Sequence, residues 1–80
     1  MKWQDRITLD PNILVGKPII KGTRIAVEFV LELMSNDWAE PDILRNFPHL
    51  KHEDLKACLA YATDALKSEK VFLAPGIATA

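Results

Sequence analysis

The 80-residue chain has one cysteine, three glycines and no excess charge of either sign, its formal net charge being −1 at pH 7. A lone Cys58 excludes an internal disulfide and a cysteine-built metal cage. Apolar runs fall far short of the roughly 18–20 residues that span a bilayer, so no membrane protein is expected. The opening Met1-Lys2-Trp3-Gln4-Asp5-Arg6 leads into a strand-like stretch and not into an apolar signal core. Catalytic constellations are missing as well. His49 and His52 stand three apart, but no carboxylate follows at a zinc-protease spacing. Gly16-Lys17-Pro18 and Gly22-Thr23 do not complete a phosphate-binding G-x-x-x-x-G-K loop. Cys58, between Leu55 and Leu59 on one apolar face, reads as a small buried hydrophobe and not as a nucleophile. These absences predict a small cytoplasmic protein that is not an enzyme and needs no metal or cofactor.

What is present is ordinary globular composition, 49% hydrophobic and 26% charged, on a chain long enough for one domain. A domain this small buries only about 60–65% of the surface that its unfolded chain exposes, so each core contact matters. The near-zero net charge hides a division. Residues 1–24 carry Lys2, Arg6, Lys17, Lys21 and Arg24 against Asp5 and Asp10, a net +3, while the remainder is −4. A basic segment on a mildly acidic body can meet phosphate locally and keep the chain soluble, although so short a segment can also be basic by chance.

Ile7-Thr8-Leu9 alternates apolar and polar residues and stops at Asp10-Pro11-Asn12, which predicts a short strand closed by a turn. Ile13-Leu14-Val15, Gly16-Lys17-Pro18 and Ile19-Ile20 cannot form a helix through two nearby glycines and a proline, so further short β pieces are expected. Gly16 and Gly22 are assigned positive φ or a close backbone approach. From Ala26 the period becomes helical, with Val27, Phe29, Val30, Leu31, Leu33 and Met34 forming a wide apolar face that ends at Ser35-Asn36-Asp37. A short helix over 39–47 starts with Glu40-Pro41-Asp42 and is stopped by Pro48. A long third helix carries Leu55, Cys58, Leu59, Ala62 and Leu66 as its seam. Lys51 stands at its N-cap, where Ser, Thr or Asp is usual.

A helix over 39–47, a turn near 48–50 and a helix from 51 have helix-turn-helix spacing, which any three-helix bundle can also show. In the DNA-binding version the N-terminal residues of the second helix reach base edges. Here these are Lys51, His52 and Lys56, with Glu53 able to accept from cytosine.

The run Ile7-Thr8, Asp10-Pro11, Ile13-Leu14-Val15-Gly16-Lys17-Pro18, Lys21-Gly22-Thr23-Arg24-Ile25 and Val27-Glu28 resembles the domain of unknown function 433 family. So does the later run Phe47-Pro48-His49-Leu50, Glu53-Asp54-Leu55 and Leu59-Ala60-Tyr61-Ala62, and the likeness extends over residues 7–66. The resemblance implies a mainly α, homeodomain-like three-helix bundle behind a small N-terminal β arm. It also implies an antitoxin of a type II toxin–antitoxin pair, since members commonly stand beside PIN-like ribonuclease genes. Two positions depart from the family's habit. Asp37 replaces a common glycine after the first helix, and Lys51 replaces a common Thr or Ser before the third.

The expectation is therefore a helix-turn-helix domain with its β arm over residues 1–67 and a tail over 68–80. The domain would bind operator DNA through Lys17, Lys21, Arg24, Lys51, His52 and Lys56, as a homodimer on paired half-sites, with the β arm as a candidate contact between the copies. Val71, Phe72 and Leu73 in the tail would dock on the PIN-like toxin, or fold back onto their own helices. The rival expectation is a protein-interaction module without DNA binding, favoured by the acidic helix faces.

Overall fold

A computed structural model of the chain describes residues 2–68, so Val71, Phe72 and Leu73 lie outside the described residues. Two short strands, β1 (Ile7–Leu9) and β2 (Pro18–Ile20), precede three helices, α1 (Val27–Ser35), α2 (Glu40–Asn46) and α3 (His52–Ser68). The strands pair antiparallel, with Ile7 opposite Ile20 and Leu9 opposite Pro18. A single bridge from Ile19 to Ala26 on the other side of β2 carries the chain into α1. The mainly helical fold with a small N-terminal sheet is as the sequence predicts.

Burial in the arm does not follow simple alternation: the adjacent Ile19 and Ile20 are both covered, and Leu9, on the same face of β1 as Ile7, is not. Ile7, Ile19 and Ile20 are buried while Leu9 is exposed. Thr23 fixes the turn between β2 and α1 twice over: its hydroxyl donates to the Ile20 carbonyl at 2.7 Å and accepts from the Ile25 N–H at 3.0 Å. Gly16 and Gly22 both take φ of +77°, as their placement in the arm predicts. The segment between the strands corrects the sequence reading. Leu14–Gly16 is a 3-10 turn and not a β piece. Leu14, Val15 and Gly16 have φ of 51°, 56° and 77°, a left-handed run that includes a β-branched residue. Outside glycine that conformation costs about 1–2 kcal/mol per residue, so the turn is a store of strain. A second 3-10 turn, Trp3–Asp5, is one that the sequence pattern does not signal.

The core gathers Ile7 and Ile20 of the arm, Val27 and Val30 of α1, Ile43 of α2, Leu50, and Leu55, Ala57 and Cys58 of α3. Glu28 and Glu32 point outward from α1, opposite its buried stripe. The end of α1 is a Schellman motif: Trp38 N–H donates to the Leu33 carbonyl and Asp37 N–H to that of Met34, both at 3.1 Å. Asp37 sits in the left-handed position with φ of 68°, which its short polar side chain tolerates. Pro41 lies in the first turn of α2, where its missing N–H is harmless.

Helix α3 departs from its expected seam. Leu55 and Cys58 are buried, but Leu59 and Leu66 are 50% and 67% exposed. The arm and α1 cover only the first turns of this 17-residue helix, and beyond Tyr61 it runs out past the core. There Trp3 is its main neighbour. The indole donates to Asp64 at 2.7 Å and meets Tyr61 edge-to-face at 4.8 Å between ring centroids.

Candidate nucleic-acid interface

The weak cap at Lys51 has a structural answer. Asp54, at the third position of α3, is 6% exposed, and its Oδ2 accepts the Lys51 backbone N–H at 2.9 Å. This is the returning half of a capping box, with aspartate in the place of the usual glutamate. The other oxygen, Oδ1, accepts from the Arg6 guanidinium at 2.9 Å across 48 residues of sequence. Arg6 in turn lends its backbone carbonyl to the Lys21 N–H at 2.8 Å. One relay therefore joins the end of β2, the start of β1 and the first turn of α3. The cap is supplied from within the helix, and the Lys51 side chain is left exposed to solvent.

The relay collects part of the expected DNA-binding set. Lys51, His52 and Lys56 are all exposed at the start of α3, with His52 and Lys56 about 6 Å apart along the helix axis. Lys21 and Arg24 line a shallow hollow of about 410 Å³ together with Thr8, Asp10 and Thr23. Lys21 is tied to this end of the molecule through Arg6. Lys17 is not. It lies at the opposite end of β2, where its ammonium meets Glu28 of α1 at 2.6 Å. His52 is also engaged, its Nδ1 standing 2.7 Å from Glu40 at the start of α2. Both pairs are exposed, and such pairs contribute only about 0.2–1 kcal/mol, so phosphate can displace them at little cost.

Helix α2 and helix α3 are separated by the five residues 47–51, and the short spacing is held by packing. Ile43 is fully buried, Leu50 nearly so, and Phe47 stands edge-to-face on Phe29 of α1 at 5.5 Å. The arrangement thus presents the first turn of a long helix, fixed by a buried carboxylate, beside a short helix that packs behind it.

Among the described residues, no group of three or more His, Cys, Asp or Glu side chains is placed to hold a metal ion. No helix among them is long and apolar enough to cross a membrane. Cys58 is fully buried, and burial first, then the nearby Asp54 charge, push its thiol up to about 12, which leaves it protonated and unreactive at neutral pH.

Sequence reasoning missed Arg6 and Asp54 as a pair. The available signal was an acid three residues after a poor cap, together with an arginine that no local partner explains. It also missed the patch formed by Leu14, Val15 and Phe29, which is apolar and open to solvent.

A two-stranded arm locked onto the first turn of the last of three helices defines a small, mainly helical domain. The chain belongs to the family described as protein of unknown function (DUF433), whose pattern matches residues 7–62. A solved structure of a DUF433 member from Anabaena variabilis is similar to it, with 28% sequence identity and a TM-score of 0.75. The likeness covers 80% of this chain and 63% of that one, so the present chain spans less than two thirds of that relative. No curated protein matches the chain.

Proposed function

We propose that the protein is a homeodomain-like, helix-turn-helix DNA-binding antitoxin, repressing its own operon and neutralising a PIN-like ribonuclease. The observation that carries the DNA-binding part is the relay of Lys21, Arg6, Asp54 and Lys51. It holds the start of α3 rigid by burying one carboxylate, and it leaves Lys51, His52 and Lys56 outward. Lys51 and Lys56 would donate to guanine edges or phosphate, and Lys21 and Arg24 would contact the adjoining phosphates. Lys17, held by Glu28 at the far end of β2, would contribute least. The toxin-binding part rests on what the sequence resemblance implies and on the apolar run Val71, Phe72 and Leu73, which lies outside the described residues.

A gel shift on the duplex upstream of the protein's own gene, against a scrambled duplex of equal length, tests this reading. Specific retardation is expected. Lys51→Ala and Lys56→Ala should each weaken it by about 1–3 kcal/mol if the side chain reads a base. Affinity should also fall steeply with added salt. Equal retardation of both duplexes, or none, would leave the rival reading.

That rival is a protein-interaction module without DNA binding. The specific observation in its favour is the exposed apolar turn at Leu14 and Val15 beside Phe29, rimmed by Glu28 and Glu32.

A further inference from the structure

Val15 combines three properties that do not belong together in an isolated monomer. It is β-branched, it holds a left-handed φ of 56°, and it is 95% exposed. Strained backbone persists where the surroundings over-determine it, and it tends to mark ligand or partner contacts. Within its own chain the Val15 side chain buries almost nothing, so the strain gains no packing there. Leu14, with φ of 51°, is also exposed, and the pair stands beside an open hollow of about 480 Å³ with Ala26, Phe29, Glu28 and Glu32 in its wall.

We infer that this turn and hollow are the contact between two copies of the chain, each Val15 entering the hollow of the other. The patch carries both halves of such a contact. An apolar projection sits on the edge of an apolar recess, and a two-fold axis through that edge matches each to its counterpart. The charges match in the same way. Lys17 stands two residues from the projection, and Glu28 and Glu32 flank the recess. Glu28 already meets Lys17 of its own chain at 2.6 Å, whereas Glu32 has no cation within 4 Å among the described residues. Two-fold pairing brings the partner's Lys17 toward Glu32 in each half. A toxin or other protein would need no such matching of Lys17 with an acid of the same patch.

The inference rests on the proposed DNA-reading dimer, because paired half-sites need two copies held at fixed spacing. It places the contact on the Lys17 side of β2, away from the Lys21 and Lys51 end. The reading helix is then free in each copy.

Sedimentation equilibrium of the full chain without DNA tests the inference, with gel shifts run separately. The wild type should dimerise in the micromolar range. Val15→Asn suits the left-handed position better and removes the apolar projection, so the melting temperature at low concentration should hold or rise. Its dimer dissociation constant should rise about tenfold or more, as at a central contact. Glu32→Lys should weaken the dimer in the same direction. A wild type that stays monomeric at high micromolar concentration would overturn the inference, even if DNA is bound. A dimer unmoved by both substitutions would overturn it too. Dimers weakened as expected in a protein that retards no specific duplex would uphold the contact and reject the DNA reading.

Discussion

Asp54→Ala should lower the melting temperature of the domain by about 10–20 °C, from a loss of about 2–4 kcal/mol. The carboxylate is 6% exposed and holds two donors, the Lys51 N–H at 2.9 Å and the Arg6 guanidinium at 2.9 Å. Removing it uncaps α3, which alone costs about 0.5–2 kcal/mol. It also leaves Arg6 beside the core without its counter-charge. The Arg6 side chain is 34% exposed, so water softens that second loss and the estimate stays below the figure for a fully buried pair. Asp54→Asn should fall between the wild type and Asp54→Ala, because the amide oxygen still accepts one hydrogen bond. Thermal unfolding by circular dichroism measures the loss, and a double-mutant cycle with Arg6→Ala should return a coupling of about 1–2 kcal/mol. A shift of under about 0.5 kcal/mol for Asp54→Ala would show that the relay does not hold the helix start.

The second large effect concerns alkaline stability. Cys58 is fully buried, and its thiol is pushed from 9.0 to about 12 by burial and then by the Asp54 charge. A thiol raised in the folded state keeps its proton there while the unfolded chain loses it. The unfolded state is therefore favoured increasingly as pH rises above about 9, at up to about 1.4 kcal/mol per pH unit, until the folded thiol ionises near 12. At neutral pH and below the group has almost no effect on the pH dependence, because the thiol is protonated in both states. Between pH 8.5 and 10 the wild type should lose about 1 kcal/mol more stability than Cys58→Ala. Urea unfolding at the two pH values measures this difference. Parallel profiles would mean that the thiolate finds a stabilising environment in the folded protein. At neutral pH the same burial predicts alkylation of Cys58 only through unfolding.

The fold was legible in those segments where local chemistry decides. Val27 and Val30 mark the buried stripe of α1, Asp37 adopts the left-handed turn that Asp tolerates, and Pro41 announces the start of α2. Two features escaped because they depend on partners distant in sequence. Arg6 and Asp54 are 48 residues apart, so no window of sequence pairs them. The extent of α3's buried seam depends on how far the arm and α1 reach along it, which periodicity cannot give; hence Leu59 and Leu66 lie exposed. The turn at Leu14–Gly16 was hidden for another reason. A β-branched valine argues for a strand on propensity alone, and its left-handed conformation runs against that preference. The basic residues could be counted in the sequence, but only the fold separates Lys17, held by Glu28, from Lys21 and Arg24.

We propose that the first turn of α3 and the Lys21–Arg24 turn together form one DNA-facing surface. Titrating the 15N-labelled protein with its upstream duplex and following each backbone amide by NMR tests this most directly. The largest shifts are expected on Lys51–Lys56 and Lys21–Arg24, with Lys17 and the Leu14–Val15 turn nearly unmoved. Shifts centred on Leu14, Val15 and Phe29, or none anywhere on addition of the duplex, would contradict it.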